Sequence, residues 1–404
     1  MNKLNVLIIA DEEDIRFLDT KRESDHWNIF WKVVDYNKLH QRVGELQDLV
    51  KGYHIDFLLY SRNDQVANRI KIGPITRKLR TGYSSFSGID DRNRIKQMQT
   101  CFEDFMECGR KLNFKLDQRP QEKGLMRNSK GTFSLIFDTE QLGGVRFGLS
   151  RILNLLDRYN IKATFFVTNL MGWIYPNLIE AISSLAHEIG IHGRYHEYLN
   201  SYGPEDQEQL IKKMIKDFNM QIRGANFIGR MDKNTISLLA KNRMIQYLTC
   251  ATICDYIPFG FRRFPANPVR FGQDDNYVWM IPVAVETYGR PWYVIRGMLD
   301  FAVSEVLKTN IKHITILLHP FRDGTLRHIA TLEKLILYLL RKGLSPKLLR
   351  DKVNELPTDD SNRENCFFDR KRRLMIPSST KDVLYIPVLL FKATSRLAKN
   401  RYLF

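Results

Sequence analysis

The stretch HEIGIHGRYHEYL, residues 187–199, contains a pair of histidines four residues apart, His192 and His196. Two imidazoles at this spacing can bind one divalent metal ion if a third ligand comes from another part of the chain. A histidine pair taken alone is more often part of a solvated surface. The pair therefore indicates a metal site only if other ligands are expected beside it.

Two other segments end in side chains that suit such a site. The run LIFDTE ends with Asp138 and Glu140, and the run TILLHP ends with His319 followed by proline. A hydrolytic metal site needs about three protein ligands from histidine and carboxylate, with one position left open. A second carboxylate can then accept a proton from water, and a histidine can protonate the leaving group. The combination predicts hydrolysis of an amide or an ester.

From residue 131 onward, apolar strand patterns alternate with helical patterns, and these strands and helices would carry the side chains named above. The strand candidates are FSLIFD, KATFFVT, HEIGIH, ANFIG, IQYLT, VWMIPVAV and HITILLHP. This alternation predicts an α/β fold, a distorted (β/α) barrel of about seven strands. The carboxyl ends of all strands in such a barrel meet at one mouth, where functional groups collect. The barrel therefore favours the metal interpretation over the ordinary ones, in which Glu140 is a helix cap and His319 a packed core residue.

The chain of 404 residues is long enough for more than one domain. Residues 1–115 alternate strand and helix signals and predict a small Rossmann-like α/β domain of unassigned role, in which YSSFSGIDD is interpreted as a Ser/Gly-rich loop. Residues 116–130 are polar, contain proline and glycine, and predict a linker. The barrel occupies residues 131–350, and residues 351–404 form a basic, partly apolar C-terminal tail.

The charge of the chain limits its partners. There are 62 Lys and Arg against 45 Asp and Glu, a formal net charge of +17. Such an excess suits an anionic membrane surface, a polyanionic glycan or a phosphate-bearing carrier, and a plain basic surface is an equal alternative. No nucleic-acid recognition motif is present, so no nucleic-acid partner is expected. The first strand lacks the features of a signal peptide and the five cysteines lack framework spacing, so we expect a cytoplasmic protein, with peripheral membrane contact as an option.

At the motif level, HEIGIHGRYH resembles the second motif of the polysaccharide deacetylases (carbohydrate esterase family four, with the NodB-like domain). In that motif a strand ending in E-I-G-x-H is followed by a second histidine four residues on. SLIFDTE is similar to the first motif of the family and ITILLHP to the last, in the same order along the chain. The resemblance covers about residues 131–345.

The resemblance implies both a cofactor and a set of roles. The cofactor is a divalent metal ion, usually Zn²⁺, held by a carboxylate and two histidines. His192 and His196 would be metal ligands, Asp138 the base that activates water, and His319 the acid. The segment CDYIPFGFRRFP is similar to one seen in a branch of the family.

In the segment CDYIPFGFRRFP, Asp255 or Arg262 would orient the catalytic groups. Where the common first motif has a second adjacent aspartate, this chain has threonine and then Glu140, so Glu140 is expected to replace the usual metal-binding aspartate. The arginine of the third motif, which orients the base in the family, is not recognisable, and Ala225 or a neighbour falls in its place.

The function expected from the residues and the resemblance together is metal-dependent removal of an N-acyl group, acetyl or formyl, from an amino sugar in a glycan or glycan precursor. Because no export signal is recognised, the carbohydrate substrate is expected to be lipid- or nucleotide-linked. The alternative is a catalytically weak or inactive barrel that acts as a glycan- or partner-binding module, which the missing arginine favours. The retained Asp138, His192, His196 and His319 favour the enzyme.

Overall fold

A computed structural model of the protein describes residues 3–10, 12–18, 24–33, 43–61, 79, 82–117, 129–228, 233–252, 256–257, 260–261, 267–273, 276–287 and 290–357. These residues form two sheets of mostly parallel strands with helices packed against them, and one short antiparallel hairpin. Among them, no helix has the length and apolar character needed to cross a membrane.

The first sheet has four strands in the order β2-β1-β3-β4, and every pair of adjacent strands in it is parallel. Its strands are β1 (Leu4–Ala10), β2 (Trp27–Val33), β3 (Phe57–Tyr60) and β4 (Gly82–Ser85), and its helices are α1 (Glu12–Phe17), α2 (Val43–Gly52) and α3 (Arg94–Met106). The apolar runs in β1 and β3 are buried because helices cover a parallel sheet on both faces. The predicted Rossmann-like α/β character is confirmed.

Strand β4 corrects the interpretation of YSSFSGIDD as a loop throughout. Its register pairs Gly82 with Phe57 and Ser85 with Tyr60, so the small polar residues continue the sheet. Serine and glycine have low strand propensity and give no alternating pattern, which is why the strand is not visible in the sequence. Tertiary pairing with β3 overrides that propensity.

The second sheet is the predicted barrel. Its order is β12-β13-β9-β8-β7-β6-β5-β15-β14, and all neighbours except β12 and β13 are parallel. The strands are β5 (Gly131–Thr139), β6 (Thr164–Val167), β7 (Glu188–Ile191), β8 (Gly224–Ala225), β9 (Tyr247–Thr252), β12 (Val269–Gln273), β13 (Asn276–Val283), β14 (Val285–Glu286) and β15 (His313–Leu318); β16 (Leu344–Pro346) also pairs with β5, and β10 (Tyr256–Ile257) with β11 (Gly260–Phe261) forms a separate hairpin.

The sheet closes through one nearly continuous segment, β13 and β14. β13 pairs with β9, and the Trp279 N–H donates to the Gln246 carbonyl at 2.9 Å. One residue further along than β13, the Ala284 N–H donates to the Thr315 carbonyl at 2.7 Å, and β14 pairs with β15. The same segment thus bonds to both ends of the curled sheet, which forms the predicted distorted barrel. Six of the predicted strands coincide with strands of this sheet, whereas ANFIG overlaps β8 only at Ala225.

Helices surround this barrel. They are α4 (Leu149–Arg158, preceded by a π-helical turn at Gly144–Gly148), α5 (Asn169–Ile174), α6 (Leu178–Ser183), α7 (Pro204–Phe218), α8 (Lys233–Lys241), α9 (Trp292–Val306), α10 (Pro320–Asp323), α11 (Ile329–Arg341) and α12 (Leu349–Asn354). The predicted helix over PEDQEQLIKKMIKDF coincides with α7, which begins at a proline with acids in its first turn, as the helix dipole favours.

The barrel interior is filled by alternate residues of the strands. Ile136, Phe166 and Tyr247 share one apolar cluster inside it. Glycines make room for the rings, since a Cβ on Gly190 would lie 2.4 Å from Phe166 and one on Gly224 would lie 2.0 Å from Tyr247. Because successive side chains in a strand alternate, the same side of these strands carries the polar groups at their carboxyl ends.

The amino ends of the strands are closed by helix α12. Leu349 and Val353 join the interior cluster, and the buried Glu188 carboxylate accepts from the Arg350 N–H at 3.2 Å and from the Tyr247 hydroxyl at 2.8 Å. Residues 351–357, predicted as the start of the tail, therefore belong to the barrel floor, and residues 358–404 lie outside the described residues. Apolar residues of both sheets share one core. The domain boundaries predicted near residues 115 and 131 therefore stay predictions.

Candidate functional site

The carboxyl end of β5 places two acids on the interior side of the barrel. Asp138 and Glu140 are two residues apart, so they face the same way, while Thr139 between them points outward. Both acids are buried. A pair of buried carboxylates carries a large desolvation cost, so cationic partners are expected close by.

Three side chains converge on one point at this end of the barrel. The Oε2 atom of Glu140 lies 2.6 Å from Nε2 of His192 and 3.1 Å from Nε2 of His196. The two imidazole rings lie 4.8 Å apart between centroids, at 34°. One ligand atom from each of the three residues can be chosen so that all lie within 4.8 Å of one another.

The loop after β7 presents the second histidine in an uncommon backbone conformation. Gly193 has φ of 91° and His196 has φ of 71°, both in the left-handed region that non-glycine residues rarely adopt. The buried Glu197 carboxylate holds the loop from within, since it accepts from the Arg194 N–H at 2.9 Å and the Tyr195 N–H at 2.6 Å. The sharp turn brings His196 back beside His192.

Asp138 lies next to this group but faces other partners. Its Oδ1 accepts from the Asn226 side-chain amide at 2.7 Å and lies 3.6 Å from Nδ1 of His192. Its Oδ2 lies 3.8 Å from Nε2 of His319. The His319 N–H in turn donates to the Asp323 carboxylate at 2.7 Å. Asp138 thus links the histidine group on one side to His319 on the other.

The pKa values of the site reflect burial and the close charges. Burial raises the pKa of Asp138, and the imidazoles of His192 and His319 only partly oppose the rise. Burial also acts to raise the pKa of Glu140, but His196 and His192 outweigh it and hold that pKa well below its usual range. Burial acts to lower the pKa of His192, yet Asp138 and Glu140 raise it to about 9. The two buried carboxylates therefore favour positive charge at this site.

The donor set suits a divalent ion such as Zn²⁺. Two imidazole nitrogens and one carboxylate, with a position left open, form the ligand set of many catalytic zinc sites. Nδ1 of His192 donates to the Asn226 carbonyl, the kind of outer hydrogen bond that fixes the ring of a metal-ligating histidine. Because the raised pKa of His192 favours its protonated form when no metal is bound, we expect ion binding to release a proton. Glu140, His192 and His196 are the residues that would hold the ion.

The structure brings five of the seven predicted site residues together. These are Asp138, Glu140, His192, His196 and His319, and the roles assigned to them stay predictions. The other two, Asp255 and Arg262, lie outside the described residues.

One residue that sequence reasoning missed is Asn226. It directly follows β8 and lies one position after Ala225, which falls in the place of the family's third-motif arginine. Its side chain contacts Asp138. The candidate strand ANFIG extends to Gly229, so the strand-end rule that identified Asp138 and His192 did not select Asn226. In the structure the strand ends earlier, at Ala225, and Asn226 is the first polar residue after it.

Comparisons with known proteins find sequence similarity for part of the chain. Residues 126–224 match the sequence model of the family described as polysaccharide deacetylase. The peptidoglycan deacetylase-like protein FGM2 of Gibberella zeae is 30% identical over 149 residues, which are 34% of this chain and 42% of that relative. The chain thus spans less than half the length of this relative.

Solved structures show weaker similarity. One assigned as a polysaccharide deacetylase from Mycobacterium smegmatis is 16% identical, with 59% of this chain and 94% of that chain covered and a TM-score of 0.47. Another with the same assignment, from Pseudomonas aeruginosa PAO1, is 18% identical, with 56% and 90% covered and a TM-score of 0.47.

The fold and site define a (β/α) barrel with a histidine and carboxylate group at the carboxyl ends of its strands. The segment that matches the polysaccharide deacetylase model carries Asp138, Glu140, His192 and His196. The resemblance predicted from the motifs is confirmed.

Proposed function

We propose that this protein is a metal-dependent deacylase that removes an acetyl or formyl group from the nitrogen of an amino sugar. The observation that supports it most strongly is the group of Glu140, His192 and His196 beside Asp138, inside the segment that matches the polysaccharide deacetylase model. Three ligands and a separate buried carboxylate are the minimum that metal-assisted amide hydrolysis requires.

The chemistry divides between the ion and the protein. When bound, a divalent ion supplies Lewis acidity, which polarises the acyl carbonyl and favours ionisation of water. Asp138 accepts the proton of the attacking water; its raised pKa makes it a better base than an exposed aspartate. The Asn226 amide holds the Asp138 carboxylate in one orientation, and it leaves Oδ2 directed toward His319.

His319 completes the proton balance. Cleavage of the amide C–N bond leaves an amine that must gain a proton, and protonated His319 donates it. The Asp323 carboxylate receives the N–H of His319 and the Thr287 hydroxyl, at 2.7 Å and 2.9 Å, and so fixes the start of the loop that carries the acid. Water adds to the acyl carbon, and the products are a carboxylic acid and a free amino sugar.

The substrate part of the proposal draws on charge. A formal net charge of +17 favours a polyanionic or phosphate-bearing carbohydrate, so we propose a lipid- or nucleotide-linked glycan precursor. A cytoplasmic location with peripheral contact to an anionic membrane is consistent with such a precursor and belongs to the same proposal.

A second candidate function is a binding module that has lost turnover. Glu140 in place of the usual aspartate and the missing third-motif arginine favour it. Against it, the Asn226 side-chain amide donates to Asp138 and so orients the base, as the missing arginine does in the family. A pseudoenzyme also has no need for the buried Asp138 beside His319.

The direct experiment is product release by the full-length protein. The protein is stripped with a chelator, reloaded with Zn²⁺ or another divalent ion, and incubated with N-acetyl and N-formyl amino sugars, free, nucleotide-linked and lipid-linked. We expect acetate or formate only in the reloaded samples. Glycan binding on an array without product in any metal would support the binding module instead.

Asn226→Leu gives a test of the orienting residue. The change keeps the size of the side chain but removes the hydrogen bond to a charged group, which contributes about 1.5–3 kcal/mol. We therefore expect turnover to fall by roughly ten- to hundred-fold, with metal content unchanged because the main-chain carbonyl that receives His192 remains. The exposed Asn242, whose amide donates to the Leu238 carbonyl, is the matched control. Equal turnover in Asn226→Leu and Asn242→Leu would show that Asn226 does not orient the base.

A further inference from the structure

The edge strand of the N-terminal sheet reaches the metal-binding loop of the barrel. Gly82, the first residue of β4, forms a parallel bridge with Tyr195, the residue before His196. Gly82 has φ of 131°, and a Cβ at this position would lie 2.1 Å from the Tyr195 carbonyl oxygen. Only glycine permits this approach, so the bridge depends on that residue.

The next residue of β4 contacts the metal-binding histidine itself. The Tyr83 ring lies 4.8 Å from the His196 ring between centroids, at 60°. A metal-ligating histidine normally has its second ring nitrogen fixed by a hydrogen bond. Nδ1 of His196 is buried and has no hydrogen-bond partner among the described residues, whereas His192 has the Asn226 carbonyl. The Tyr83 ring is therefore in the position to fix the His196 ring.

The N-terminal sheet also supports the third ligand. The Ser84 hydroxyl donates to the Glu140 main-chain carbonyl at 3.0 Å. The Ser85 N–H donates to the Gln141 side chain at 2.7 Å, and the Gln141 amide donates to Oε1 of Glu140 at 3.3 Å. Ser84 and Ser85 are fully buried. These contacts hold Glu140 at its main chain and at the carboxylate oxygen that faces away from the histidines.

We propose that strand β4 of the N-terminal sheet is the outer support of the metal centre, and that Gly82, Tyr83 and Ser84 position His196 and Glu140 to bind the ion. This inference rests on the proposed function, since it assumes that the group binds a divalent metal. It assigns a role to the N-terminal sheet, whose role the sequence pattern left open. The backbone strain at His196 supports it, because strained conformations persist only where the surroundings hold them.

The test measures the Zn²⁺ affinity of full-length variants by competition with a coloured chelator, which does not depend on activity. Loss of outer-shell partners typically weakens metal affinity by about 10- to 100-fold, so we expect a loss of this size in Tyr83→Leu and Gly82→Ala. Tyr83→Phe keeps the ring and should bind close to wild type. Ser84→Ala should weaken binding less, because the Gln141 contact to Glu140 remains.

Two substitutions in the same part of the chain serve as matched controls. Gly109 has φ of 119° with no atom within 4 Å of an added Cβ, so Gly109→Ala introduces backbone strain without displacing the loop. Tyr53 follows helix α2 and lies half-exposed against Phe30 of β2, so Tyr53→Leu makes the same side-chain change at another contact of the N-terminal sheet. Both controls should keep the wild-type affinity, and circular dichroism with thermal unfolding identifies any variant that fails to fold.

The outcomes separate the two proposals. Wild-type affinity in folded Gly82→Ala and Tyr83→Leu, with Zn²⁺ bound by the unaltered protein, would overturn the supporting role of β4 and leave the proposed function intact. Equal losses in the variants and in the two controls would also overturn it, because the effect would then be general destabilisation. An unaltered protein that binds no Zn²⁺ would overturn the proposed metal dependence and this inference with it.

Discussion

His192→Ala is expected to yield a folded protein that retains no Zn²⁺ after gel filtration and releases no acetate or formate from any N-acylated amino sugar. His192 contacts both carboxylates, with Nε2 2.6 Å from Glu140 and Nδ1 3.6 Å from Asp138. Its removal leaves only two ligands, and a catalytic zinc site needs about three from the protein. Metal content by elemental analysis and product release by a coupled assay measure the two losses.

The matched control for this variant lies in the same stretch of sequence. His187 is buried, but its Nδ1 accepts from the Ala163 N–H at 3.1 Å and takes no part in the metal group. His187→Asn preserves an acceptor at that position and should keep both metal and turnover. Full retention of both properties in His192→Ala would contradict the proposed function, whereas loss in both variants would indicate damage to the barrel.

Asp138→Asn is expected to separate turnover from metal binding. The asparagine still accepts from Asn226 but cannot take a proton from water, and general base catalysis contributes about 10²- to 10⁴-fold in rate. We expect kcat to fall by that range while Zn²⁺ affinity stays near wild type, since Glu140, His192 and His196 are unchanged. Steady-state kinetics and chelator competition on the same preparation give the two values.

Glu140→Gln provides the converse of this experiment. It removes the charge that lies 2.6 Å from His192 and 3.1 Å from His196, so metal should be lost together with turnover. The two acids are two residues apart at the carboxyl end of β5, and different outcomes would assign the base and the ligand separately. If Asp138→Asn loses metal and Glu140→Gln keeps it, the two roles are exchanged.

The sequence was sufficient to locate the barrel and most of the candidate site. Apolar runs with β-branched and aromatic residues predict strands, and the helices between them predict a parallel sheet, so Asp138, Glu140, His192 and His319 could be placed at one mouth. These predictions succeed because strand and helix patterns are local. The direction of a side chain at the end of a strand follows from its parity alone.

The role of Asn226 was beyond the same reasoning. Its amide bonds to Asp138 across 88 residues of chain, and it follows a strand of only two residues that carries little pattern of its own. The closure of the sheet through β13 and β14 is similar, because one segment changes its partner from β9 to β15 without any break in its apolar run. Pairing partners are decided by packing of the whole barrel.

The sequence pattern therefore predicts the type of barrel and the kind of chemistry at its mouth. The contacts of each site residue depend on the tertiary structure: Glu140 lies between the two histidines, Asn226 holds Asp138, and strand β4 packs against His196. The physical reason is that periodicity reports which face of an element is buried. Contacts between serines, a tyrosine and a distant loop leave no periodic trace, and they arise only when two sheets pack against each other.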